Sequence, residues 1–247
     1  EGASVPDDIE WIAEHHRVWQ RKESLRRYYQ REIFARIDSR LAHGPTLELG
    51  AGPGFYAADR PEIIPVDMAC GPATRVIADA HSLPFRSASF ANVVGIDTLH
   101  HIARPGRVLA ECARVLSPGG RIVLVEPWTG PIGWLVYRYA HHEECESVGD
   151  PWAWAAADGK DPMIGNAVIP KAVLVDNSAQ LASHAADLEV VHVEPFGALS
   201  YLITGGFQNW GAGWPLIRLA CAIEALVPAP LMRWAALRAL FVLVKRS

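Results

Sequence analysis

The sequence predicts an α/β fold built on a parallel sheet, and three observations carry that expectation. Short apolar runs alternate with stretches of helical period between Thr46 and Val125, and a cluster of glycines follows the first run directly. Of the 247 residues, 50% are hydrophobic and only 20% are charged. A chain of that length and apolarity buries one sizeable core, which excludes disorder for the bulk of it.

The elements follow in order. From Asp8 to about Leu41, the apolar residues Ile9, Ile12, Leu25, Tyr28, Tyr29, Ile33, Phe34, Ile37 and Leu41 recur at helical spacing without an internal Gly or Pro. His43-Gly44-Pro45 ends that segment. Strands are expected at Thr46–Leu49, Ile63–Val66, Val76–Ala78, Phe90–Ile96 and Arg121–Val125, with a helix over Pro105–Leu116, which is the rhythm of βαβ units. The stretch from Trp128 to about Lys171, rich in Trp, Gly, Pro and His, reads as an insertion over the sheet. A helix over 172–186, a strand over Leu188–Val193, a helical hairpin kinked at Pro228-Ala229-Pro230 and a terminal strand Leu240–Lys245 at the sheet edge complete the expectation. The chain is thus expected to form a single domain with four parts: a helical cap (1–43), a ligand-binding core (44–128), an acceptor-side insertion (129–186) and C-terminal strands with the hairpin (187–247).

Charge and cysteine usage narrow the function classes. A net charge of −4 gives no general grip on a phosphate backbone, so no nucleic-acid partner is expected. The N-terminal bases Arg17, Arg21, Lys22, Arg26, Arg27, Arg31, Arg36 and Arg40 alternate with Glu14, Glu23, Glu32 and Asp38 and read as a solvated helix face. Cys70, Cys112, Cys145 and Cys221 lie far apart with no C-x-x-C pair, and the chain opens without a secretory leader, so a cytoplasmic protein is expected. Trp214 to Val244 is apolar enough to suggest a membrane span, but Arg218, Glu224, Pro228, Pro230, Arg233 and Arg238 interrupt it. No transmembrane segment is expected; a peripheral membrane contact and a homodimer stay open.

The strongest motif is Thr46-Leu47-Glu48-Leu49-Gly50-Ala51-Gly52-Pro53-Gly54. Glycines straight after a strand let the backbone turn sharply and approach a ligand without a Cβ in the way. A dinucleotide fingerprint fits imperfectly, since Phe55 and Ala57 break the spacing it needs. Three further segments follow in order: the second strand ends at Asp67, where a carboxylate can accept hydrogen bonds from ribose hydroxyls. The third runs through Asp79-Ala80 to His81-Ser82-Leu83-Pro84, and the fourth ends at Asp97 and leads into Leu99-His100-His101-Ile102. Beyond them come Arg114-Val115-Leu116-Ser117-Pro118-Gly119-Gly120 and a strand to Glu126-Pro127.

Together these segments resemble the class I S-adenosylmethionine-dependent methyltransferases over residues 46 to 127, in particular the small-molecule group that includes ubiquinone and menaquinone biosynthesis enzymes. The resemblance implies a doubly wound, Rossmann-like sheet of seven strands with the last antiparallel, S-adenosylmethionine as cofactor and S-adenosylhomocysteine as product. It implies that Glu48 contacts the methionine amino end through a loop of Gly50, Gly52 and Gly54, that Asp67 binds the ribose, and that Asp79 and Ala80 meet the adenine. Ala51, Met68 and Asp97 complete the expected cofactor set. A looser similarity, through Pro127-Trp128, His141-His142-Glu143, Gly159-Lys160-Asp161-Pro162, Gly205-Gly206-Phe207 and Phe241–Lys245, is to uncharacterised bacterial methyltransferases of cell-envelope or secondary-metabolite pathways.

Methyl transfer from a sulfonium is an in-line displacement governed by positioning, with a general base needed only for a protonated acceptor. His100, His101, His141, His142 and Glu143 are the candidate catalytic residues, with Glu126 also beyond a strand end. On a helix His141 and Cys145 would share a face, as would His142 and Glu146, but a polar helix end facing the pocket or solvent is the simpler reading, and no metal is expected. Trp128, Trp134, Trp152, Trp154, Tyr137 and Tyr139, with hairpin residues such as Trp210, Trp214, Leu216, Leu219, Leu226, Leu231 and Trp234, would suit a hydrophobic small-molecule acceptor: aromatic, natural-product or isoprenoid-like. The expected function is therefore methylation of such a molecule. Two alternatives stand beside it: a cyclase or lyase that keeps the cofactor without transferring methyl, and a non-catalytic partner subunit.

Overall fold

The structure, a computed structural model, describes residues 5–141, 144–155 and 165–246, and for residues 5–10 the backbone alone. Seven strands form one sheet: β1 (Thr46–Leu49), β2 (Ile63–Asp67), β3 (Val76–Ile77), β4 (Phe90–Ile96), β5 (Leu116–Pro127), β6 (Leu188–Phe196) and β7 (Arg238–Lys245). Their order is β3-β2-β1-β4-β5-β7-β6. The pairings from β3 through to β5 are all parallel, and β7 runs antiparallel to both β5 and β6. This is the mostly parallel, doubly wound sheet of seven strands that the sequence implies. The chain winds outward from β1 and then returns to lay β4 on the other side of β1, so the crevice beyond the carboxyl ends of β1 and β4 is where such a sheet takes a ligand.

Both faces of the sheet are covered, which is why its central strands read as continuous apolar runs and not as alternating ones. Successive residues still point to opposite sides. Val93, Ile122 and Leu124 join the core made with Val108, Leu109 and Cys112 of helix Pro105–Val115 and with Ile169, Val173 and Leu181. Val94, Val123, Val125, Leu240 and Val242 pack instead against Leu25, Tyr28, Ile33, Phe34 and Ile37 of the N-terminal helices.

Four expectations are corrected. The terminal strand is not at the edge: β7 lies between β5 and β6, and residues 238–243, all buried, are flanked by a hydrogen-bonding neighbour on each side. The N-terminal helix is not continuous; Lys22 leaves helical geometry (φ −94°, ψ 82°) between helices Val5–Arg21 and Glu23–Tyr28, and residues 29–34 wind as a π-helix. Nor is residues 172–186 one helix. It breaks at Asn177, whose side-chain amide donates to the Ala172 carbonyl and so competes with the helical ladder. Finally, the N-terminal basic run is only partly a solvated face. Arg36 pairs with Glu32 and Glu194, and Arg26 donates to the carbonyls of Trp19 and Gln20.

Candidate functional site

A cavity of about 730 Å³ opens at the carboxyl end of the sheet, a size suited to small-molecule and cofactor sites. Glu48, Gly50, Ala51 and Gly52 contribute from the end of β1, Ile96 and Asp97 from β4, Pro127 from β5, and Leu237 and Arg238 from the start of β7. Trp11, His15, Phe55 and Phe207 form a roof of touching rings, with centroids 3.9 Å apart for Trp11–His15, 4.4 Å for His15–Phe207 and 5.8 Å for Phe55–Phe207.

The glycine loop is specified by space as well as by turn geometry. Gly50 has φ +62°, and a Cβ there would lie 2.4 Å from Thr98 Cγ2. The Gly52 amide donates to Asp67 Oδ2 at 2.7 Å and the Ala69 amide to Asp67 Oδ1 at 2.9 Å, so Asp67 fastens the loop to the end of β2. Asp67 ends β2, with Met68 next to it, and Asp79 and Ala80 follow β3; neither these four nor Gly54 are among the residues lining the cavity. Met68 is 72% exposed there. Burial works against ionisation of Asp79, but hydrogen bonds from the His81 amide and ring, with the charge of Arg107, hold its carboxyl below the usual range.

Glu48 is the unusual group on the wall. Its Oε2 is buried and has no hydrogen-bond partner among the described residues. Burial pushes its carboxyl from 4.5 up to about 8, Asp67 adds to that, and the Ala57 amide and Arg60 only partly offset it. The folded chain thus keeps a proton that the unfolded chain has released, so stability falls as pH rises through the window from about 4.5 to 8. Thermal or urea unfolding across that window should show a decline that Glu48→Gln reduces by about 2–4 kcal/mol at the alkaline end. An equal pH slope in the variant would contradict this assignment.

His101 and His141 are on the cavity wall. His100 is not: it is completely buried, with Nδ1 donating to Glu126 Oε2 at 2.6 Å. Glu126 Oε1 accepts the backbone amides of Thr98 (2.9 Å) and Leu99 (2.6 Å), so this carboxylate pins the turn after β4 from beneath. Ligand atoms of Asp97, His100 and Glu126 lie within 4.8 Å of one another, yet both Glu126 oxygens are already engaged. His142 and Glu143 lie outside the described residues. The helical premise of a His141–Cys145 pair does not hold, because helix Pro131–Ala140 ends before His141, which is extended (φ −115°, ψ 156°).

Among the aromatic residues expected to line the pocket, Tyr137 does so. Trp128, Trp152 and Trp154 are buried in the main core, and Trp134 and Tyr139 are exposed at 38% and 75%. Trp210 and Leu202 both line the cavity and reach solvent, at 58% and 42% exposure, which marks its mouth. The hairpin residues Leu216, Leu219, Leu226, Leu231 and Trp234 point away from the cavity into solvent.

Two residues that shape the site carry no sequence signal. Lys22 sits in the break between the first helices and its ammonium lies 2.6–3.1 Å from the carbonyls of Thr204, Gly206, Gln208 and Trp210. It therefore cinches the loop that forms one cavity wall, and burial, helped by Arg21, lowers its pKa to about 8. Lys22→Ala should lower unfolding stability by about 1–3 kcal/mol and expose the 204–210 segment to faster amide exchange. Unchanged exchange there would contradict the role. The second residue is Arg238, which is 2% exposed, pairs through Nη1 with Asp97 Oδ1 at 2.5 Å and lies under Tyr201 with its Cζ 5.0 Å from the ring centroid. Asp97 itself holds a left-handed backbone (φ +53°), a strained conformation that functional sites often retain.

Residues 47–124 match the family described as "Methyltransferase domain". The ubiquinone/menaquinone biosynthesis C-methyltransferase of Rhizobium etli is 25% identical over 182 residues, covering 72% of this chain and 64% of its own length. The Homo sapiens protein "Probable tRNA methyltransferase 9B" is 28% identical over 118 residues, 42% of this chain and 24% of its own. The chain thus spans less than two thirds of each of these relatives. Among solved structures, an S-adenosylmethionine-dependent methyltransferase of Thermotoga maritima superposes with a TM-score of 0.53 at 16% identity, over 95% of this chain and 99% of the other. That likeness concerns the fold.

Proposed function

We propose, starting from a chain that belongs through its core to the class I S-adenosylmethionine-dependent methyltransferase family, that it methylates a hydrophobic small molecule held in the cavity. The observation that carries this reading is the cavity's lining. The glycine loop and the Glu48 carboxyl, with its buried Oε2, line it from the end of β1, and Tyr137, Tyr201, His101 and His141 line it from other elements. S-adenosylmethionine, when bound, supplies an electrophilic methyl on a sulfonium. The residues present fit that group: a buried carboxyl oxygen, Glu48 Oε2, with no hydrogen-bond partner among the described residues is suited to an ammonium, and Gly52 (φ +48°) leaves the loop open, with Trp11, at 3.8 Å, near the place a Cβ would take. Asp67 and Asp79 at neighbouring strand ends stand where hydroxyl and amino donors of a nucleoside could reach them.

On the acceptor side this chain's residues bind, orient and exclude water, which is most of what an in-line displacement needs. For a hydroxyl acceptor, His101 or His141 takes the proton. A net charge of −4 and aromatic walls favour a small apolar acceptor over a nucleic acid. Among the described residues no helix is long and apolar enough to cross a membrane.

The test is product mass. With S-adenosylmethionine and a panel of phenols, polyketide-like enols and isoprenoid quinols, at least one acceptor should gain one methyl while the cofactor becomes S-adenosylhomocysteine. Replacing the acting histidine by Gln should lower kcat about 100-fold and leave S-adenosylhomocysteine affinity within about threefold. If neither His101→Gln nor His141→Gln changes kcat, base catalysis by these residues is wrong. If the acceptor is transformed with the cofactor recovered intact, the reaction is not methylation.

A further inference from the structure

The geometry points to Arg238 as an anion-recognition residue for the acceptor: we propose that the cavity selects apolar molecules bearing an acidic oxygen, a carboxylate, phenolate or enolate, and that the guanidinium holds it. This rests on the methyltransferase reading and names the acceptor class for it. Arg238 is a cavity residue and 2% exposed, and its Nη1 is engaged by Asp97. Among the described residues Nε and Nη2 have no hydrogen-bond partner. Those two nitrogens share one edge of the guanidinium plane, the side-on fork that matches the two oxygens of a carboxylate. Leaving such an edge buried and unpaired costs several kcal/mol, so an arginine kept in this state is suited to a ligand oxygen that arrives later.

Its place on the sheet assigns that ligand. Arg238 begins β7 and pairs in register with Pro127 at the end of β5, while its side chain reaches past β5 to Asp97 at the end of β4. The glycine loop follows β1, one strand further on. The guanidinium therefore stands within reach of both the end of β4 and the start of β7, and aromatic rings share its cavity: Tyr201 across its face and Tyr137 among the lining residues. A flat apolar body with an acidic oxygen on one edge fits both features, stacking on the tyrosines while its oxygen takes the fork.

The other source of the same chemistry is the carboxylate of the cofactor, and the experiment separates the two. Calorimetric titrations with 2-naphthoate and with the uncharged 2-naphthalenemethanol, on protein saturated with S-adenosylhomocysteine, compare an anion with a neutral molecule of the same shape. Wild type should bind naphthoate at least tenfold more tightly than the alcohol. Arg238→Gln should bring the two within about twofold, Arg238→Lys should keep part of the preference, and S-adenosylhomocysteine affinity should change less than threefold in either. Equal affinities in wild type would overturn the proposal whether or not the variants fold, as would a preference that survives in Arg238→Gln. A loss of S-adenosylhomocysteine affinity matching that of naphthoate would assign the guanidinium to the cofactor and overturn it too. Failure of wild type to bind S-adenosylhomocysteine at all would instead remove the methyltransferase reading.

Discussion

Replacing Gly50 by alanine is expected to weaken cofactor binding by about 100-fold or more. The new Cβ would lie 2.4 Å from Thr98 Cγ2 and 2.8 Å from Thr98 Oγ1. Thr98 cannot step aside at little cost, because its Oγ1 sits 3.1 Å from the carbonyls of both Leu49 and Ile96 and so ties the end of β1 to that of β4. Alanine also disfavours φ +62°. The backbone of the loop must shift, and the amide of Gly52 then loses its 2.7 Å bond to Asp67. Strain of this kind costs about 2–4 kcal/mol, and an affinity loss of about 100-fold or more for S-adenosylhomocysteine follows. Calorimetry on the folded variant measures it; affinity within threefold of wild type would mean the loop is not the cofactor contact.

The second large effect is structural. Glu126→Ala should lower unfolding stability by about 3–5 kcal/mol, because it strands the buried amides of Thr98 and Leu99 and the ring of His100 together. Glu126→Gln should cost only about 1–2 kcal/mol, since a carbonyl oxygen can still accept both amides. Urea unfolding of the pair checks this. Near-equal losses in the two variants would show that the carboxylate's volume, not its hydrogen bonds, supports the turn.

The glycine loop, the strand-end carboxylates and the central strands were legible because each is a local pattern: an apolar run, then the residue type that the turn after it requires. The outer parts were not. Nothing in the order Leu240–Lys245 tells that β7 enters between β5 and β6, since strand insertion is decided by which neighbours bury both faces. His100 and His101 are adjacent in sequence, yet one is sealed beneath the turn by Glu126 and the other faces the cavity; that choice is made by a carboxylate 26 residues away in sequence. In the sequence Lys22 reads as part of a solvated helix face and Arg238 as a charge that interrupts the apolar stretch Trp214–Val244. Only the folded chain brings four loop carbonyls to the first and leaves the second buried with two of its three guanidinium nitrogens unpaired among the described residues.

The central claim is that the glycine-loop end of the cavity holds S-adenosylmethionine with its ammonium toward Glu48. Its most direct test is calorimetric titration with S-adenosylhomocysteine, which carries the same ammonium, at pH 7 in buffers of different ionisation enthalpy. With the Glu48 carboxyl near 8 in the empty protein and ionised against the ammonium, binding should release close to one proton in wild type and none in Glu48→Gln, with weaker affinity in the variant. No binding by wild type, or the same proton count in both proteins, would contradict it.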